Sequence, residues 1–393
     1  MCNRMISIIG LLIRKLVFMD NGAQYQKIFQ DTFEKIKLEN DKLQKMTILI
    51  SGKSGVGKST LINTVFGAEL SKTGVGKPIT DKISLISQEN FPVNIYDTIG
   101  LELKAVKFDL LAIAKSISKN DIQKLINKVQ HTETSEDDIH VVWYAISGNS
   151  SRIEDPEIDL INWILAQKIP VIIVLTKTFD ITESDKLKKE IFKIIPAITD
   201  VVTTLAIDSE IKASFGIEEL INKTFEVLPE GINTAFVHSQ AASINLKKRE
   251  ALKVVNTNMA ANFGIGFSPI PGSDAPLMIS SQTAMIAKIT SIFGVDVTKN
   301  QVETVILSLL GVYGALFAGK SLAGNLLKVI PGLGTVGGGL ISGGVGMIIT
   351  GALGRAYIEL MILVSSGRVD LSSMTSDEIR DLLISLLEQY LPK

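Results

Sequence analysis

Lys53 to Thr60 reads "KSGVGKST". It lies between "MTILIS" (Met46 to Ser51), an apolar run of strand character, and "STLINTVFG" (Ser59 to Gly67), a helical pattern ended by glycine. With Gly52 in front, the run fits Gly-x-x-x-x-Gly-Lys-Ser in the strand, loop and helix context that gives this spacing its meaning. The glycines let backbone N–H groups converge on phosphate oxygens, and the positive N-terminal end of the following helix adds to the attraction. Lys53, Ser54, Gly55, Val56, Gly57, Lys58, Ser59 and Thr60 are therefore candidate phosphate-binding residues. Lys58 would reach the terminal phosphates and Ser59 would offer its hydroxyl to Mg²⁺.

Nineteen residues on, from Lys72, the chain nearly repeats itself as "KTGVGKPIT". Pro78 biases Lys77 away from the helical region and removes an N–H, so no helix can start there to receive a phosphate. No apolar strand precedes these glycines, and no Ser or Thr directly follows Lys77. We read the echo as a mobile segment ending in Thr80, placed in sequence to act as a switch. "YDTIG" comes next: Asp97 and Gly100 match Asp-x-x-Gly at the end of the strand-like run Val93 to Thr98. A carboxylate there can hold Mg²⁺ through water, and the Gly100 N–H can meet a γ-phosphate.

Further strand-like runs fall at Ile139 to Ile146, Pro170 to Thr176 and Val201 to Ile207. Helical patterns lie around Val106 to Val129, Asp155 to Gln167, Ser184 to Ile194 and Ile217 to Val227. Strands alternating with helices predict an α/β domain over 46–229, a mostly parallel sheet with helices on both faces. Before it, Tyr25 to Leu43 has helical period and a charged opposite face, as expected of a surface helix packed on the α/β domain. This helix and the stretch before it make up an N-terminal segment, 1–45. Past Pro229 no strand pattern is found. A long helix over Asn233 to Ala261, a breaker cluster at Gly264 to Pro276 and further helices predict an all-α domain over 230–393.

Composition narrows the function classes. Lys plus Arg (40) nearly cancels Asp plus Glu (41), and no basic run of five or more occurs, so no nucleic-acid partner is expected. The single cysteine, Cys2, excludes an internal disulfide, and His131, His140 and His238 lack metal-ligand spacing, which points to a reducing, cytoplasmic-side protein. Mean hydropathy is +0.30, and the apolar excess sits in the C-terminal half with many of the 31 glycines. The short apolar stretch Met5 to Ile13 is read three ways: an interfacial helix, a weak signal anchor, or sequence upstream of a start at Met19.

With "GKSTLIN" and "YDTIGLE" in this order, the chain resembles the Era-like branch of translation-factor-class P-loop GTPases. The resemblance implies GTP and GDP as ligands, Mg²⁺ as cofactor, and Thr80 as the switch threonine that binds Mg²⁺ and the γ-phosphate. Its base-recognition pattern, Asn/Thr-Lys-x-Asp, appears here as Thr176-Lys177-Thr178-Phe179-Asp180, the carboxylate one place late. Thr176, Lys177 and Asp180 are thus base-contacting candidates; a one-residue bulge would let Asp180 reach guanine, and without one specificity would be relaxed. Ala206 stands in for the last guanine box only loosely. Leu101 occupies the position after Asp-x-x-Gly where a glutamine orients the attacking water in Ras-like enzymes. Leucine cannot position water, so hydrolysis is expected to be slow unless a partner or a homodimer formed through this domain supplies the missing group. Arg152, in the polar loop before "IED", is either such a cation for a neighbouring molecule or an ordinary surface arginine.

The C-terminal half carries small residues every four positions: Gly311, Ala315, Gly319 and Ala323, then Gly338, Ser342, Gly346, Thr350 and Gly354. No charge occurs over the 26 positions from Val329 to Gly354, and Thr304 to Leu327 is interrupted only by Lys320. These runs predict a hairpin turning at Pro331-Gly332, either inserted in or attached to membrane lipid, or packed as a soluble glycine-rich bundle. "PIPGSDAPLMISSQTAMIAKITSIFGVD" (Pro269 to Asp296) and "IPGLGTVGGGLISGGVGMIITGALGRAY" (Ile330 to Tyr357) resemble the Gly-rich helical domain of YcjF-like inner-membrane proteins. That resemblance implies a GTPase at the cytoplasmic side of a membrane. Ribosome assembly and a nucleotide-regulated pore or membrane-remodelling element are the alternatives. Asp274 is either functional or a helix N-cap.

Overall fold

The computed structural model describes residues 22–67, 77–80, 83–88, 91–98, 119–130, 138–209, 212–265, 275–298, 300–302, 304–305 and 338–390. The chain divides into two compact units, one formed by 43–246 and the other by 1–42 together with 247–393. The sequence patterns place boundaries after 45 and 229; the α/β unit instead continues to Leu246.

Seven strands build the sheet of the α/β unit: β1 (Met46–Gly52), β2 (Lys77–Thr80), β3 (Ile83–Ile86), β4 (Val93–Thr98), β5 (Val141–Ser147), β6 (Val171–Thr176) and β7 (Asp200–Thr203), in the order β2-β3-β4-β1-β5-β6-β7. The run β4-β1-β5-β6-β7 is parallel, while β3 is antiparallel to β4, and β2 to β3. β1, β5 and β6 are apolar almost throughout because both faces are covered. Along β5 the side chains alternate: Val142, Tyr144 and Ile146 enter a core with Ile122, Leu125 and Ile126 of α3 (Lys119–Val129), Leu160, Ile161 and Ile164 of α4 (Asp155–Ala166), and Leu187 and Ile191 of α5 (Ile181–Ile194). On the opposite face Trp143 stacks at 6.0 Å on Phe66 of α2 (Lys58–Phe66) and donates to Thr224 of α6 (Ile217–Val227) at 3.0 Å. Phe236 of α7 (Ile232–Ser239) meets Phe66 edge-on.

β2 and β3 were not expected from the sequence. They are four residues each at the sheet edge, with Pro78 in β2, where a missing N–H is tolerated. The last parallel strand is shorter than expected, ending at Thr203, and Leu205 then forms an isolated antiparallel bridge with Phe215. The single helix expected over Asn233 to Ala261 is two, α7 and α8 (Ile244–Ile265). Between them Gln240 closes a turn, donating to Ser243 O at 2.9 Å and accepting from Ser243 N at 2.7 Å. The Ser243 hydroxyl then accepts from Leu246 N.

The other unit contains α1 (Gly22–Asp41), most of α8, α9 (Ala275–Phe293), α10 (Gly338–Ser365) and α11 (Ser376–Glu388). α1 packs against α9, with Lys35 Nζ 3.4 Å from the Thr283 hydroxyl, so it joins the helical unit and not the α/β domain next to it in sequence. On α10 the end of the small-residue stripe at Thr350 and Gly354 is a packing surface: Thr350 accepts from Gln282 of α9 at 3.3 Å. A Cβ on Gly354 would lie 2.5 Å from Val255 Cγ2 of α8. Buried polar pairs run through the same bundle, as between Thr290 and Tyr357 at 2.7 Å. Among the described residues, no helix is long and apolar enough to cross a membrane. The segments 1–21 and 306–337, with the Pro331-Gly332 turn, and Asp274 lie outside the described residues, as does the helical pattern before Lys119.

Candidate phosphate and metal site

β1 ends at Gly52, whose φ of 139° and close approach to β5 exclude any side chain: a Cβ there would stand 2.2 Å from Ala145 O. The chain then arches over residues 53–57 and enters α2. Gly57 is its N-cap and provides no side-chain cap, and the first backbone bond runs from Leu61 N to Gly57 O at 3.0 Å. The amides of Lys58, Ser59 and Thr60 thus have no partner within the helix and carry its positive end. They border a cleft of about 410 Å³ that Ser54, Gly55, Gly57, Asp97, Thr98 and Lys177 also line.

Two opposite charges meet at the floor of this cleft. Lys58 Nζ donates to the carbonyls of Gly52 at 2.9 Å and Lys53 at 3.0 Å. Burial lowers its pKa, and the Asp97 carboxylate opposes that shift. For Asp97 burial raises the pKa and Lys58 opposes. Burial thus pushes both groups toward their neutral forms while each opposes that shift in the other, an arrangement that a polyanion with a divalent cation would relieve. Asp97 Oδ1 is buried and has no hydrogen-bond partner among the described residues. With the Ser59 side chain exposed on the same cleft, this orphaned oxygen fits a hydrated Mg²⁺.

The base-side candidates separate by role. Thr176, 4% exposed at the end of β6, has its hydroxyl 2.5 Å from Val56 O and 3.1 Å from Ile146 O. One proton serves both carbonyls, and the shorter contact ties β6 to the phosphate loop. Lys177, at φ 53°, lays its stem over Gly57 and donates to Gly55 O at 2.6 Å. Asp180 is the N-cap of α5, its Oδ1 accepting from Thr182 N at 2.8 Å and Glu183 N at 3.3 Å, which is the ordinary structural use of that carboxylate. The displaced aspartate thus does not line the cleft with Lys177. Ala206 O accepts from Thr64 on α2 at 3.4 Å.

Lys53 points elsewhere: its ammonium pairs with Glu154 at 2.7 Å and does not border the cleft. Arg152 is exposed and lines no part of it either. Val56 is buried beneath the loop. Thr80 closes β2, opposite Ile83. Gly100 and Leu101, and residues 72–76 of the echo, lie outside the described residues. Sequence reading passed over Thr98, which lines the cleft and donates to Ile50 O at 3.1 Å. It also passed over Glu154 and Glu157, although their spacing is that of a capping box.

Residues 47–177 match the family of 50S ribosome-binding GTPases. The α/β unit has the fold of a P-loop GTPase domain. Over 142 residues, 36% of its length, the chain is 25% identical to GTPase Era of Actinobacillus pleuropneumoniae, and the match spans 41% of that protein. Translocase of chloroplast 33 of Arabidopsis thaliana is 29% identical over 140 residues, 34% of this chain and 46% of the relative. The crystal structure of Aquifex aeolicus Era bound to GDP and AlF4⁻ superposes with a TM-score of 0.32 at 22% identity, covering 48% of this chain and 58% of that one. The chain thus spans less than half the length of these curated relatives, and the family match over 47–177 leaves the helical unit uncovered.

Proposed function

We propose that the chain is a GTP-binding switch that hydrolyses GTP slowly and passes its nucleotide state to the helical unit. The observation that carries this is the cleft in which the free amides at the start of α2 and the Lys58 ammonium converge with the unpartnered Asp97 oxygen. Lys58 would exchange its two backbone carbonyls for the β- and γ-phosphate oxygens. Ser59 and Asp97, joined by Thr80, would hold Mg²⁺, which spreads the phosphate charge when bound. Thr176 keeps the loop in place for the incoming phosphates, and the Lys177 stem offers an apolar wall to the base. Slow turnover follows from Leu101, which brings no group able to orient water. Because Asp180 caps α5, guanine selectivity in this reading is modest and not absolute.

Association with membrane lipid is the second part of the proposal. It rests on the uncharged run 329–354 and the likeness of the helical half to YcjF-like proteins. Co-sedimentation separates it from the ribosome-assembly alternative: the full chain pellets with vesicles in the first case and with ribosomal subunits in the second. For the switch itself the test is calorimetric titration of the full chain with GDP and a non-hydrolysable GTP analogue in Mg²⁺. Binding lost on chelation and in Lys58→Ala supports the reading; binding indifferent to both defeats it.

A further inference from the structure

The two carboxylates that close the first turn of α4 also grip the phosphate loop. Glu154 is the N-cap of α4, its side chain accepting from the Glu157 backbone while Glu157 Oε2 accepts from Glu154 N at 3.0 Å. Lys53 Nζ lies 2.7 Å from Glu154 Oε1 and 3.8 Å from Glu157 Oε2. Glu157 is only 2% exposed, against 36% for Lys53 and 42% for Glu154, so the cluster is anchored on its inner side. Behind it stands the fully buried Tyr144 of β5, held protonated by burial first and by the neighbouring Glu157 carboxylate second. The Lys53 carbonyl, at the other end of the residue, accepts from Lys58. A continuous path thus runs from the capping box of α4 through Lys53 to the lysine at the cleft floor.

Resting on the nucleotide-binding reading above, we propose that Lys53 is a positioning residue: held by Glu154 and Glu157, it sets the height of the loop backbone and the carbonyl that receives Lys58. A loop with three glycines cannot hold its own shape, and a loop fixed beforehand loses less entropy on meeting a phosphate. An exposed ion pair alone would contribute little; here one partner is buried and hydrogen-bonded to the backbone, which restricts the geometry.

The sign of one substitution decides between positioning and mere charge. In the full chain, Glu154→Gln removes a negative charge near the loop, so a simple field effect would tighten nucleotide binding. Positioning predicts that it weakens the Kd for MgGDP and for the GTP analogue several-fold. Lys53→Met, which keeps the stem, should weaken both by about tenfold, and Lys53→Arg, which can still reach both carboxylates, should stay within about twofold of wild type. Tighter or unchanged binding by Glu154→Gln overturns the proposal, as does Lys53→Arg binding no better than Lys53→Met. Should Lys53→Met fail to fold in a ligand-free melt, the Glu154→Gln and Lys53→Arg measurements still decide. Wild type that binds neither nucleotide removes the functional reading and this inference together, whereas wild-type binding with an indifferent Lys53 removes the inference alone.

Discussion

At the scale of the residue, the site depends on a few buried polar groups whose alternatives are poor. Thr176→Val leaves the Val56 carbonyl without its hydroxyl donor, whereas Ile146 O keeps its place in the β5–β6 ladder. A buried acceptor so stranded costs about 1–3 kcal/mol, so the variant should melt earlier and bind nucleotide more weakly, as read by thermal unfolding with and without GDP. His140 supplies a pH signature. Its Nδ1 accepts from Thr47 N at 2.9 Å, and burial depresses its pKa against the opposing pull of Asp138. A depressed histidine contributes stability that is complete above the unfolded value of about 6.5 and is lost as pH falls below it. Thermal midpoints should therefore drop below that pH, and less steeply in His140→Gln. The phosphate loop was legible in the sequence because its chemistry is consecutive: glycines, Lys58 and Ser59 adjoin. Asp180 was not, since whether it reaches a base or caps a helix depends on backbone angles that "TKTFD" does not reveal.

Among the elements, the long parallel strands and the helices between them could be read from runs of apolar residues alone. The edge strands β2 and β3 could not: at four residues each they are too short for a clear alternation, and β3 is placed by pairing with β4 and β2 by pairing with β3. The break between α7 and α8 had a local signal that periodicity overrode, namely Gln240 and Ser243 bonding to each other and to the chain across two alanines. On α10 the glycines that looked equally suited to lipid are occupied, at Gly351 and Gly354, by Met259 and Val255 of α8. Gly354→Val should accordingly destabilise the helical unit by about 1–3 kcal/mol through overpacking, measurable by chemical denaturation. No such loss is expected if that face is open.

On the scale of the whole molecule, two units divide the chain, and the N-terminal helix belongs with the C-terminal bundle. Pattern reading missed this because amphipathic period says that a helix has a partner without saying which. The GTPase match ends at 177, so what the helical unit does is carried by this chain's own packing and by the proposed response to nucleotide. The most direct measurement is titration of the full chain with GTP and ATP, with and without Mg²⁺, beside Lys58→Ala. Magnesium-dependent binding that prefers GTP and disappears in the variant is expected; equal binding of ATP and GTP, or binding that survives the loss of Lys58, would rule out the guanine-nucleotide switch.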